Sequence, residues 1–198
     1  MPEELRPIIE EEPSFVLRTR HGSAVKVYRG LPQNEQALER VDAKFAGYPQ
    51  LERRKRSVPH YNCHGLTFIN RHGCVAVEAM ELPRIWAPGW RPTKDPTDYS
   101  ELLEGLLVSS GYHRVGKLGD FTSQTLGEDA NLCRGDVVIY RDARGQISHS
   151  AIVWEVQPMS IKVLSKFGEA GEYFHDYRAI PDEFGYGRTV EFWTEREA

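Results

Sequence analysis

Helical patterns in the first half of the chain, consecutive strand patterns in the second, and the lack of any internal repeat predict an α+β domain with helices packed against an antiparallel β-sheet. The chain has 198 residues, enough for one domain with a substantial core. Hydrophobic residues make up 40% of it and charged ones 27%, which is ordinary for a folded soluble protein. With 25 Lys and Arg against 29 Asp and Glu, the formal charge is −4. Such a balance gives no general attraction to nucleic acid or anionic lipid, so neither is expected as a partner. No apolar run approaches the roughly 20 residues needed to cross a bilayer. The opening Met1-Pro2-Glu3-Glu4 is acidic where an export signal is basic and then apolar, so a cytoplasmic location is expected. The three cysteines, Cys63, Cys74 and Cys133, form no CxxC pair, which fits reduced thiols better than a disulfide framework or a zinc knuckle.

Residues 1–13 hold three Pro and five Glu without apolar periodicity and read as a flexible acidic arm. A single domain is expected over 14–196, with an N-terminal hairpin and helix (14–56), a catalytic core (57–168) and a C-terminal extension (169–196). Phe15-Val16-Leu17 and Ala24–Tyr28 flank Gly22 as a hairpin does. Leu31-Pro32-Gln33-Asn34 opens a helix, because Leu38, Val41 and Phe45 then fall at helical spacing before Gly47 and Pro49. Arg53-Arg54-Lys55-Arg56 reads as a solvated loop or helix end, with a patch for an acidic partner as the sharper alternative. Pro- and Trp-rich residues 81–97 predict an ordered loop. Leu102, Leu103, Leu106 and Leu107 then line a helix from about Asp98 to Ser110, stopped by Gly111. Strands are predicted at 136–141, 148–156, 161–165 and 189–193, with turns at 142–145 and 157–159.

The chemistry concentrates in His60-Tyr61-Asn62-Cys63-His64-Gly65-Leu66. Leu66 and Ile69 recur at helical spacing after Cys63, so a helix begins at or just before the cysteine. A thiol in a first helical turn feels the positive end of the helix dipole and free backbone N–H groups, both of which favour the nucleophilic thiolate. The same N–H groups, at Cys63 and His64, can hold an oxyanion. A thiol nucleophile needs a base, usually from far along the chain, and His149 is the best candidate. On its strand it shares a face with Ala151 and Val153, a buried setting in which the ring needs a polar orienting partner. Ser165, at the end of the next strand, is the preferred orienter. Lys166 is less suitable, because a cation disfavours imidazolium, and His175 is a further possibility.

Two stretches together, Asn62-Cys63-His64-Gly65-Leu66 and Gly135-Asp136-Val137-Val138-Ile139-Tyr140 leading through a turn to His149-Ser150-Ala151-Ile152-Val153, resemble the signatures of papain-like cysteine hydrolases of the NlpC and CHAP type. The resemblance spans roughly residues 57–168. It implies a papain-like fold with the catalytic Cys at a helix N-terminus, and a catalytic set of Cys63, His149 and a third polar residue on the following strand, here Ser165. It also implies an amidase or peptidase that works through a thioacyl intermediate, without cofactor, on a peptide or protein substrate. His64 departs from the family's usual Ser or Thr, and Ser165 from its usual His, Asn, Gln or Glu. Segments such as Phe184-Gly185-Tyr186-Gly187 look like features of a bacterial subfamily.

Two alternatives within this frame are an acyltransferase or deamidase effector and a non-catalytic peptide- or protein-binding module. A zinc site at His60, Cys63 and His64 lacks a fourth ligand at characteristic spacing, so no metal is expected.

Overall fold

The computed structural model describes residues 15–18, 24–27, 34–57, 61–68, 96–117, 132–187 and 189–196. They form an α+β arrangement with an antiparallel sheet and few helices. In chain order the elements are β1 (Phe15–Arg18), β2 (Ala24–Val27), α1 (Glu35–Phe45), β3 (Glu52–Lys55), α2 (Cys63–Phe68), α3 (Pro96–Ser109), β4 (His113–Lys117), β5 (Val137–Arg141), β6 (Ile147–Gln157), β7 (Ser160–Lys166), β8 (Glu172–Asp176) and β9 (Thr189–Thr194). β1 and β2 pair as an antiparallel hairpin. The other seven strands form one sheet in the order β3-β8-β7-β6-β5-β9-β4, and every neighbouring pair is antiparallel.

The helices begin and end where their side chains allow. Asn34 caps α1, its Oδ1 accepting from the Gln36 N–H at 2.9 Å, and Val41 and Phe45 turn inward. α3 stops at Gly111, whose φ of 88° suits glycine, and the Tyr112 N–H then returns to the Leu107 carbonyl at 2.9 Å. The 81–97 loop lies outside the described residues apart from its last two positions, which open α3.

Strand alternation sorts the core into two faces. Val138, Tyr140, Ala151, Val153, Val163 and Phe192 form one cluster with Tyr177. Their neighbours in sequence point the opposite way: Val137, Ile139 and Trp193 meet Leu103, Leu106 and Leu107 of α3. Ile152 and Leu164, on that second face, meet Leu66 of α2. α1 packs at the other end of the sheet, where Phe45 stacks on Tyr173 at 5.1 Å between ring centroids and touches Phe167 and Phe184.

Three strands escape the sequence pattern. Arg53-Arg54-Lys55, read there as a loop or helix end, is edge strand β3; it pairs with β8, where buried Glu172 takes Arg54 at 2.5 Å and Lys55 at 3.5 Å. β4 forms the other edge, and β8 lies between β3 and β7. Residues 169–196 thus supply two strands to the main sheet, β8 and β9.

Close backbone contact fixes one glycine in the β7–β8 connection. A Cβ on Gly171 would lie 1.9 Å from the Lys55 carbonyl oxygen. Gly171→Ala therefore has to separate β3 from that turn, and we expect a loss of about 2 kcal/mol or more in the urea-unfolding free energy. Wild-type stability in that variant would show that the two backbones are free to part.

Candidate active site

Cys63 is the first residue of α2, as the sequence pattern predicts. Asn62 precedes it, its Oδ1 accepting from the Gly65 N–H at 2.7 Å, a cap bond that satisfies one of the free donors of the first turn. Leu66, three residues on, seats the helix against Ile152 of β6 and Leu164 of β7. The ladder between those strands runs from Gln157↔Ser160 to Ala151↔Ser165. Beyond its end, the sulfur of Cys63 meets the backbone N–H of Ser150, together with those of His64 and of Cys63 itself. The nucleophile candidate thus sits at a fork in the sheet, one residue along the backbone from His149.

Burial reverses one expectation. The N–H groups, and after His64 the charge of Lys166, pull the Cys63 pKa down, but desolvation outweighs them and pushes the thiol up to about 11. At neutral pH Cys63 is a thiol, where the helix-dipole argument alone predicts a thiolate. Its residue surface is only 5% exposed, and withdrawal from water costs an anion more than one helical turn returns.

His149 is fully buried in an aromatic box. Its ring stacks on Phe167 at 5.2 Å with 3° between planes, on Tyr186 at 4.3 Å, and lies 5.4 Å from Tyr140. Neither ring nitrogen has a hydrogen-bond partner, so the Cys63 sulfur is not within hydrogen-bond reach of the ring; His149 lies with Tyr140 on the Ala151 face of β6, whereas α2 packs on the Ile152 face. Burial, and then the charges of His64 and His175, hold its pKa well below the usual imidazole value. The ring is therefore neutral and keeps a lone pair available.

Ser165 shares the sheet face of His149, but register places it opposite Ala151. Its hydroxyl meets Nε2 of His175 at 2.9 Å, while Nδ1 of His175 faces the Asp176 carbonyl at 2.7 Å. The hydroxyl chosen as orienter of His149 is thus engaged by His175, and Phe167 is the side chain stacked on the His149 ring. Lys166 projects to the opposite face with Leu164, fully buried. His64 points inward too: its Nδ1 meets Ser150 Oγ at 2.8 Å, Ser150 Oγ donates to Thr67 Oγ1 at 3.0 Å, and Thr67 Oγ1 donates to the Cys63 carbonyl at 2.9 Å. This chain of hydroxyls ties α2 to β6.

Tyr186 is the component sequence reasoning missed. It stacks on His149, and its own pKa is raised first by burial and then by the Cys63 charge, so it borders His149 and lies within the electrostatic range of Cys63. The available signal was the Gly185-Tyr186-Gly187 triplet. A Cβ on Gly187 would fall 1.5 Å from the Arg141 carbonyl oxygen, so glycine lets this segment lie flush on β5 and carry Tyr186 to the site. Of the metal alternative, His60 lies outside the described residues, and among the described residues no three His, Cys, Asp or Glu side chains converge. Cys74 also lies outside them, and Cys133 lies in the turn before β5, its N–H donating to Asp136 Oδ2 at 2.8 Å.

The chain matches no family model, and comparison with curated proteins and solved structures found no match.

Two outcomes follow from this geometry. Asn62→Ala removes the α2 cap and should lower stability by about 1 kcal/mol in urea unfolding. The three buried histidines have folded pKa values below their unfolded ones, to about 3 for His64, to about 4 for His175 and well below normal for His149. Above about pH 6.5 all three are neutral in both states and impose no penalty. As pH falls from there towards 4 the unfolded chain binds the extra protons, so each histidine should remove roughly 1 kcal/mol per pH unit. Urea midpoints measured at pH 7, 5.5 and 4.5 should fall steeply. A flat profile would mean that these rings are charged in the folded protein.

Proposed function

We propose that the protein is a papain-like cysteine hydrolase of the NlpC and CHAP type that cleaves an amide bond through a thioacyl-enzyme intermediate. One observation carries this reading. A cysteine at a helix start lies against the backbone N–H next to His149, and the buried ring of that histidine keeps both nitrogens unpartnered. A buried polar group without a partner costs about 1–3 kcal/mol, and in a folded protein such a cost calls for a use.

In the proposed reaction the neutral His149 ring, which rests on the Ala151 face of β6 out of hydrogen-bond reach of the sulfur, turns to Cys63 and accepts its proton as the sulfur bonds to the substrate's carbonyl carbon. The carbonyl oxygen becomes an oxyanion, held by the backbone N–H groups of Cys63 and His64. His149 then gives its proton to the leaving amine and the C–N bond breaks. Water, losing a proton to His149, attacks the thioester; the carboxylate leaves and the thiol re-forms. Because burial holds Cys63 as a thiol, the anion forms only as substrate arrives. That timing keeps the free protein unreactive towards other electrophiles. Ser165 holds the neutral His175 ring, which lies on the same sheet face as His149. An amine in place of water would make the same site an acyltransferase.

The raised thiol also favours a second reading, a module that keeps the architecture to bind a peptide and performs no chemistry. Incubation with peptide and cell-wall muropeptide mixtures in the presence of hydroxylamine separates the two, because an acyl-enzyme yields hydroxamates detectable by mass spectrometry. We expect hydroxamates from the wild type. Cys63→Ala should reduce their formation by on the order of 10⁶-fold, as removal of a nucleophile does elsewhere. Turnover by Cys63→Ala at the wild-type rate would falsify the assignment, and a wild type that yields no hydroxamate from any mixture favours the binding module.

A further inference from the structure

The proposed reaction leaves one buried charged side chain unused. Lys166 is 0% exposed, and its ammonium donates to the carbonyls of Gly168 at 2.9 Å and Ala170 at 2.6 Å. It also lies 4.9 Å from the ring centroid of Tyr61, two residues before Cys63. Its neighbour two positions back on the same face, Leu164, packs on Leu66 of the cysteine's own helix. A long cationic side chain is rarely buried completely without a reason, since desolvation alone costs several kcal/mol.

The surroundings are arranged to keep that charge. Lys166 pairs in register with Glu172 across β7 and β8. Glu172 in turn accepts from the Tyr61 hydroxyl and from Arg54, with Lys55 3.5 Å away. Glu169 in the connecting turn and Asp42 on α1 add negative charge. Cys63 takes the backbone N–H groups of Ser150, His64 and itself and feels the charge of Lys166, and Tyr186 from the 177–187 segment feels the charge of Cys63.

Resting on the hydrolase reading and deepening it, we propose that Lys166 is a positioning residue that supplies the counter-charge of the Cys63 thiolate from beside the opening of α2. No bond forms or breaks at Lys166 in the reaction. Its ammonium lowers the cost of separating the thiol proton from the sulfur, and Glu172 with its partners keeps that ammonium in place. The arrangement supplies a cation where burial has removed the hydration that would otherwise stabilise the anion.

The signature is a coupled titration. Burial lowers the Lys166 pKa to about 7 and raises that of Cys63 to about 11. Between those values the pair holds one shared proton, and the state with thiolate and ammonium is a fixed fraction of that population. The rate of Cys63 alkylation by iodoacetamide, followed by peptide mass mapping from pH 5.5 to 11, should rise to about pH 7, level, and rise again towards 11. In Lys166→Met, and in Lys166→Gln, which can still donate to the two carbonyls, the lower step should vanish and the rate at pH 7 should fall about tenfold or more. A neutral variant folded by far-UV circular dichroism that keeps the wild-type profile overturns the proposal. If neither neutral variant folds, Lys166→Arg decides. A guanidinium charged at every pH should give one rise, at or below the wild-type upper step, and a shift to higher pH overturns the pairing. Loss of the lower step in a protein that turns over no amide would leave the pairing standing and remove the hydrolase. Amide turnover with an unchanged profile in folded Lys166→Met would do the reverse.

Discussion

The separation of β6 from β7 beyond Ala151 and Ser165 is the constraint on which the site depends. While two strands remain paired, their N–H groups are consumed by the ladder and nothing can approach between them. Where the pairing ends, a backbone donor at Ser150 becomes available to a side chain, and the start of α2 supplies the sulfur that takes it. Leu66 against Ile152 and Leu164 fixes the helix at that height, and the His64–Ser150–Thr67 hydroxyl chain fixes its rotation. Apolar packing places the helix, and polar bonds select its register.

Burial then sets the ionisation of each group that faces the fork. Cys63, His64, His149, Lys166 and His175 all lie in an interior that disfavours charge, and each is displaced towards its neutral form. A cluster built this way, Lys166 apart, rests uncharged in a dry interior. The energetic cost of the unpartnered His149 ring is offset by its stacking on Phe167 and Tyr186 and by the packed core around it.

Much of the α+β layout was legible because helical and strand periods are local. The α1 face, the leucine face of α3 and strands β5, β6, β7 and β9 all carry their pattern within their own residues. β3 does not: Glu52-Arg53-Arg54-Lys55 is exposed throughout, with no buried face to reveal a strand. β8 places Glu172, Tyr173 and His175 in the interior, a polar mixture that reads as surface until its partners are known. In the site, Leu66 and Ile69 at helical spacing announce the helix start at Cys63, and alternation assigns the face of His149. The place of Ser165 depends on register between strands, which the local sequence does not encode, so its engagement by His175 needed the sheet itself. Tyr186 arrives by a long-range path, and burial of the thiol is a property of everything packed over it. For that reason a helix-start argument taken alone predicts the wrong resting ionisation.

The two border strands of the seven-stranded sheet bear on how copies of this molecule meet. β3 shows four exposed residues, three of them cationic, and β4 carries His113 and Arg114 on its outer run. A rim of unpaired peptide groups invites another chain to extend the sheet, and like charges repelling across such a junction discourage it. The run of basic residues, read from the sequence as a solvated loop or helix end with an acidic partner as the sharper alternative, lies on a border strand, where its charges disfavour pairing with a second copy.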